Sequence, residues 1–256
     1  MSEWVTISVK KAVATLTLNH PEKHNALSGP LVQALATAVK EIKVDPHIHL
    51  LVIKAAGNHF CAGANIQWMK TLSDASFEEN KKDALVLSEF FYELYHLAKP
   101  TVSLVQGAAL GGALGIISCC DLVIAHPLAQ FGFSEVKLGL APAVISPYVV
   151  AAMGVRQARR YFLTGEKFSS QTALRLGLVH HVAENLEEAL LPYQTSFLES
   201  GPQAMAVTKE LTSLVASQPL NRVLAEKTAE INARMRTSKE GKEGLSAFLE
   251  KRKPVW

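Results

Sequence analysis

Between Lys99 and Asp121 the chain carries no charged side chain, yet four glycines (Gly107, Gly111, Gly112 and Gly115) interrupt the same run. A stretch this apolar either crosses a bilayer or lies in a protein interior, covered on every side. It is long enough to span, and it repeats the GxxxG spacing at Gly107–Gly111 and Gly111–Gly115. Three features point inward instead. Gln106 sits within the run, no second span or aromatic belt accompanies it, and it opens with the strand-like TVSLV. The expectation is a buried strand, a glycine-rich turn and a buried helix, with no membrane crossing.

The rest of the chain alternates in the same way. ISVKKAVATLTLN reads as two strands joined by a basic turn. Ser28 is placed to cap a helix over Pro30–Lys43 with an apolar face of Leu31, Leu35, Ala38, Val39 and Ile42. HLLVIKAAG is a buried strand, NHFCAGAN a loop and NIQWMK a short helical turn. SDASFEENKK reads as a mobile polar loop, and DALVLSEFFYELYHLAK as a helix ended by Pro100. DLVIA and AQFGFSE supply further strands. From Ser146 onward the chain is mainly helical with one short strand near 177–182. The fold class is therefore α/β with buried strands, divided into a core over 1–193 and a helical region over 194–256.

Composition narrows the partners. The chain has 256 residues, 48% apolar and 19% charged, which suits a large globular core. A net charge of only +3 gives no field for nucleic acid or membrane surfaces. The tail from Met205 is more basic, with ten Lys/Arg against six Asp/Glu, which suits either phosphate contact or a solvated helix face. Three cysteines, Cys61, Cys119 and Cys120, make no disulfide framework, and the N-terminus MSEWVTISVKK has no leader-like apolar run. A cytoplasmic setting is expected.

The glycine turn has a chemical use. Helix N-termini leave backbone N–H groups unpaired and carry partial positive charge. Glycines there admit close approach of a ligand oxygen. One such donor aimed at a developing oxyanion lowers a barrier by about 3–4 kcal/mol. Phosphate binding and close helix packing are the other uses, although neither GxxxxGKS/T nor GxGxxG is present. CAGAN, Cys61–Asn65, is a second small-residue turn after a buried strand. Two such turns at one edge of a parallel sheet form a crevice in which two N–H groups can hold one thioester oxygen.

With these segments in view, the chain resembles the enoyl-CoA hydratase/isomerase (crotonase) family over essentially its whole length. HNALS resembles the family's first CoA-contacting loop, HFCAGANI and VQGAALGGALG its two oxyanion loops, AQFGFSEVKLGLAP its catalytic-glutamate segment and FLEKRKP its C-terminal helix. The resemblance implies a crotonase-like spiral of ββα units with a C-terminal helical region that mediates trimerisation. It implies oxyanion donors at the backbone N–H of Ala64 and Gly112, and CoA or substrate contacts at Ala26, Leu27, Asn65, Ile66 and Gln67. It also implies that Phe248 and Lys251 of a neighbouring subunit help hold CoA in a trimer or dimer of trimers.

Many hydratases of the family use two glutamates. Here Glu135 matches one, and Gly115 stands where the other would be. A free glutamate titrates near ~4.3, and burial beside Phe131, Phe133 and Val136 would raise that toward a working base. A single acid supports hydration of a 2-enoyl-CoA. It is also the arrangement of Δ3,Δ2-enoyl-CoA isomerases, the second reading. A non-catalytic CoA- or RNA-binding relative is the third. SEVKLGLAPAVISPYVV lacks the GxGGTQRL-like continuation of many relatives and resembles 3-methylglutaconyl-CoA hydratases of leucine breakdown. For a distal carboxylate on that substrate, Lys137, Lys70 and the pair Lys81/Lys82 are all open as cation partners. Trp68 and Met69 suit either the acyl pocket or the core.

No resident cofactor is expected, because coenzyme A arrives as part of the substrate. No metal site is expected either: His20/His24 and His47/His49 lack further ligands in sequence. Cys61 has no neighbouring base, and no GxSxG elbow is present.

Overall fold

A computed structural model describes residues 3–256; Met1 and Ser2, which open the N-terminal stretch read above, lie outside the described residues. β1 (Val5–Lys10) and β2 (Val13–Leu18) form the predicted hairpin. Its turn residues Lys11 and Ala12 both take positive φ, 48° and 64°, the turn geometry that matches strand twist. β3 (Leu50–Ala55), β4 (Thr101–Val105), β6 (Leu122–Ala125) and β9 (His181–Val182) then add in parallel, giving the order β1-β2-β3-β4-β6-β9.

These strands are covered on both faces, which is why they read as unbroken apolar runs. In β3, Leu51 and Ile53 enter the main core, where the helices α1 (Gly29–Val44) and α3 (Phe77–Tyr95) pack. Leu50 and Val52 enter a second cluster closed by Leu190 of α8 (Leu186–Leu198). All five residues of the expected α1 face are buried. Ser28 occupies the N-cap position, but its buried hydroxyl bonds to nothing, so it caps by position only.

A second, smaller sheet sits beyond the carboxyl edge of the first. It holds β5 (Ala108–Leu110), β7 (Gln130–Gly132) and β8 (Lys167–Ser169). Two single parallel bridges, Leu27 to Ala64 and Cys61 to Ala109, tie the earlier turns of chain together in the same manner. Each coil of chain thus runs strand, short second-layer segment, helix, which is the expected ββα spiral. The uncharged run divides into β4, β5 and α4 (Gly112–Cys119), and no helix among the described residues is long and apolar enough to cross a membrane.

Three expectations change. SDASFEENKK is not a mobile loop. A capping box, with Ser76 Oγ accepting from the Glu79 N–H and Glu79 accepting from the Ser76 N–H, starts α3 at Phe77. The C-terminal half holds two strands rather than one, since β8 was too short to show a period. The expected boundary at 193/194 falls inside α8, which belongs to the core because Leu190 closes the second cluster. The thinly buried region starts at α9 (Pro202–Ser217) and continues through α10 (Arg222–Thr237) and α11 (Lys239–Leu249). The remaining helices are α2 (Ile66–Ser73), α5 (Ser146–Met153), α6 (Val155–Thr164) and α7 (Ser170–Arg175).

Candidate active site

The site grows from the bridge between Leu27 and Ala64. The Leu27 N–H donates to Gly63 O (2.7 Å), and the Asn65 N–H donates to Leu27 O (2.7 Å). In a parallel bridge of this kind the residue opposite, Ala64, uses neither of its own backbone groups. Its N–H has no protein acceptor among the described residues, and the residue is exposed. An unpaired N–H is normally avoided unless water or a ligand satisfies it. Gly63, at φ +104°, lies against the Leu110 backbone, so this first turn touches the second.

The second turn is built by glycines for steric reasons. Gly111 caps α4 with φ 55° and ψ −121°, a conformation open to glycine alone, while its own N–H donates to Gly132 O (2.9 Å). A Cβ on Gly111 would stand 3.1 Å from Glu135 Oε1, and a Cβ on Gly112 only 2.5 Å from Leu27 Cδ1. The second turn therefore packs against Glu135 on one side and the Leu27 loop on the other. The Gly112 N–H, first in its helix, has no protein acceptor among the described residues. Two bare amides thus stand on adjoining turns, one of them at a helix N-terminus whose partial positive charge favours an anionic oxygen.

Glu135 opens a short 3-10 turn over Glu135–Leu138 that follows β7. Its Oε2 is buried and has no hydrogen-bond partner, and burial pushes the carboxyl above the ordinary glutamate value of 4.5. Among the described residues no cation pairs with it. A half-buried acid with a free oxygen, beside two unpaired amides, can shuttle protons on a carbonyl compound whose oxygen those amides hold. Other candidates recede. Burial drives the Cys61 thiol up to about 11 and Cys120 to about 12, so neither supplies a thiolate. Among the described residues no cluster of His, Cys, Asp and Glu could hold a metal ion.

Comparison with known proteins decides the family. The model of the enoyl-CoA hydratase/isomerase family matches residues 8–256. The chain belongs to this family. A solved enoyl-CoA hydratase from Shewanella pealeana is 42% identical, with a TM-score of 0.98 over 99% of this chain and 96% of that one. AtuE of Pseudomonas aeruginosa is 36% identical, with a TM-score of 0.95 over 99% of each chain. A Thermus thermophilus relative shares 34% identity over 252 residues, covering 97% of this chain and 99% of its own length. The protein is thus an enzyme of the enoyl-CoA hydratase type, and its substrates are acyl-CoA thioesters.

Set beside this family, the remaining residues sort themselves. Leu27 adjoins the Ala64 turn through their bridge, with Ala26 its neighbour in the chain. Asn65 is adjacent too, but its side chain is committed to the α2 N-cap, accepting from Gln67 N–H (2.9 Å) and Trp68 N–H (3.2 Å). Its backbone is what is left for a ligand. Ile66 and Gln67 are exposed at the mouth. Phe248, 80% exposed, lies near the end of α11 and the exposed Lys251 two residues beyond it, and among the described residues no hydrogen bond or ion pair links α11 to the cleft. Lys137 lays its stem across Gly165, whose added Cβ would meet Lys137 Cε at 2.9 Å. Trp68 is half-buried and bonds to Asp83 of α3, tying the two flap helices together. Residue order carries no signal for the close approach of Glu135 to Gly111, whereas Gly63 is favoured by its backbone at φ +104° and meets Leu110 only at ordinary contact distance.

Proposed function

We propose that the protein hydrates 2-enoyl-CoA thioesters with Glu135 as the only acid/base. The observation that carries this reading is the buried, unpartnered Oε2 of Glu135, set beside the turn that bears the free Gly112 N–H. The thioester oxygen sits between the Ala64 and Gly112 N–H groups. Glu135 takes a proton from water as the water oxygen bonds to Cβ. The electron pair of the double bond moves to the thioester oxygen, where the two amides stabilise the enolate. The same carboxyl then returns the proton to Cα. Hydroxyl and proton together account for one water, and the thioester supplies the activation, so no resident cofactor is required.

For the acyl group, 3-methylglutaconyl-CoA is the substrate that the sequence resemblance favours, giving 3-hydroxy-3-methylglutaryl-CoA. Its distal carboxylate needs a cation. Lys70, Lys81 and Lys82 on the flap formed by α2 and the start of α3 have no acidic partner among the described residues and suit that role. The exposed apolar residues Leu245, Phe248 and Leu249 of α11 support a homotrimer or dimer of trimers, in which Phe248 and Lys251 reach a neighbour's CoA. Gly115, in place of a second glutamate, favours one alternative, Δ3,Δ2-enoyl-CoA isomerisation by the same acid.

Thioester absorbance with 3-methylglutaconyl-CoA, crotonyl-CoA and a 3-enoyl-CoA separates the readings. Turnover of the first two, lost in Glu135→Gln, is the expected result. Turnover of the 3-enoyl substrate alone overturns hydration in favour of isomerisation. Tight CoA binding without turnover leaves only a binding relative.

A further inference from the structure

The two segments that end in the bare amides lie side by side. β5 leads to Gly112, and the stretch from His59 to Cys61 leads to Ala64. On one side β5 pairs with β7. On the other, the Phe60 N–H donates to Gln106 O (2.8 Å), the Cys61 N–H to Ala108 O (3.0 Å) and the Leu110 N–H to Cys61 O (3.0 Å). A parallel ladder takes its acceptors from every second residue, so the next bond would run from the Ala108 N–H to His59 O. That bond does not form. His59 O accepts from Asn25 Nδ2 (2.9 Å), and the Ala108 N–H donates to the imidazole Nδ1 of His59 (3.0 Å). A ring nitrogen thus replaces a backbone carbonyl as the acceptor.

Asn25 is the reason for the exchange. Its side chain is fully buried; Oδ1 accepts from the His20 N–H (2.8 Å), and Nδ2 donates to Ala56 O and His59 O (2.9 Å each). A buried amide left unpaired is costly, so His59 O is committed to Asn25 and the Ala108 N–H needs another acceptor. Gly107 gives the ring its room: a Cβ there would stand 2.6 Å from His59 Nδ1 and 2.0 Å from Asn58 O. The His24 ring lies edge-on to that of His59, with centroids 5.0 Å apart at 75°. An accepting Nδ1 leaves the ring hydrogen on Nε2.

We propose that His59 is a positioning residue of the oxyanion site, setting where the Gly112 N–H stands relative to the Ala64 N–H. This rests on the thioester reading of the same two amides. Four bonds join the two segments. Three are made by backbone alone and do not depend on the side chain at position 59. The fourth exists only because that side chain offers an acceptor at its δ position, and it holds Ala108, the first residue of β5. Ala108 lies four residues before Gly112, and His59 five before Ala64. Two donors that meet at one oxygen must both point at it, because a hydrogen bond weakens steeply off its line. A misplacement of about 1 Å in such a constellation can cost about 10²-fold in rate.

The test reads the bound carbonyl directly. Butyryl-CoA has no double bond to hydrate; with an isotope label in its thioester carbonyl, its infrared stretch is compared free and bound to the full chain. Two N–H donors should move the stretch to lower frequency on binding. His59→Leu and His59→Ala remove the acceptor, whereas His59→Asn returns one, Oδ1, to the δ position. Thermal melts and circular dichroism establish that the variants fold. Without the acceptor the bound stretch should move part of the way back to its free value. Their kcat with crotonyl-CoA should fall about tenfold, with KM little changed because the CoA contacts remain. His59→Asn should keep both the wild-type frequency and the wild-type kcat. An unchanged frequency and kcat in the folded acceptor-free variants overturns the proposal, even where their melting temperatures fall, since that marks a structural role alone. An asparagine variant that behaves like the leucine one overturns it too. A wild-type protein whose bound butyryl-CoA shows no shift overturns the oxyanion reading itself.

Discussion

The cleft and the C-terminal helices are incomplete in opposite ways. In the cleft the apolar groups are satisfied: Leu27 is buried to the last few per cent, and the glycines are where side chains would collide. What lacks partners among the described residues is polar, namely the Ala64 and Gly112 N–H groups and Glu135 Oε2. In α9 to α11 the polar groups are well paired. Glu240 accepts from the Gln203 and Ala204 N–H groups at the start of α9, Arg252 binds Glu243 and Glu250, and Trp256 donates to Glu199 O. What lacks partners is apolar: α9 buries nothing, α10 only Leu224 and α11 only Ala247. A cavity of about 430 Å³ even separates α9 from the ends of α3 and α4, bridged by Lys209 on Asp121 at 2.7 Å. Bare polar groups in a dry setting await a small polar ligand. Bare apolar helix faces await another protein surface.

The contrast can be tested from its strongest consequence downward. Glu135→Gln removes the proposed proton carrier and should cut kcat about 10³-fold, within the usual range for acid–base groups, while acyl-CoA affinity by calorimetry stays the same. Gly111→Ala forces a side chain into a glycine-only conformation 3.1 Å from Glu135 Oε1. It should cost about 10²-fold in kcat through loss of the aligned turn, measured with crotonyl-CoA. On the proposed trimeric assembly, Phe248→Ser with Leu249→Ser should leave the chain folded by circular dichroism but lower its sedimentation coefficient toward that of a monomer. An unchanged sedimentation coefficient would remove the C-terminal half of the contrast.

The pH dependence follows from the free carboxyl. Burial raises the Glu135 pKa above 4.5; with Glu135 as the proposed base, activity should be lost as pH falls through that raised value, and the acid limb of kcat/KM should lie above 4.5. The stability sign runs the other way. Between 4.5 and the raised value the folded state binds more protons than the unfolded one, so stability falls as pH rises through this window. Glu135→Gln should therefore melt higher than wild type at pH 7 and lose that advantage below 4.5. Smallest of all, Lys209→Met removes one half-exposed ion pair. It should lower stability by about 1 kcal/mol, or about 2–4 °C in the melt, without touching kcat.

Much of the architecture is legible in the residue order. The hairpin of β1 and β2, the α1 face and the long α3 follow from alternation and helical spacing, which are properties of neighbours along the chain. β8 escaped because KFS is three residues long and shows no period. SDASFEENKK read as mobile because its polarity hid a capping box, Ser76 and Glu79, whose spacing was in plain view. The expected boundary at 193 falls inside α8, whose Leu190 is buried against β-strands far upstream, a contact that no change in composition marks.

For the site the division is sharper. Residue types and local spacing mark two small-residue turns as sources of N–H donors, and the family resemblance is what singles out Ala64, Gly112 and Glu135 within them as candidates. Whether those donors are free depends on the Leu27 bridge, and whether that glutamate is perturbed depends on its burial beside Gly111. Why Gly115 is glycine depends on Phe91 and Ile145, which fill the space a Cβ would need there, 24 residues before it and 30 after. Such contacts join residues far apart in the chain, and linear order carries no record of which distant side chain will fill a given space.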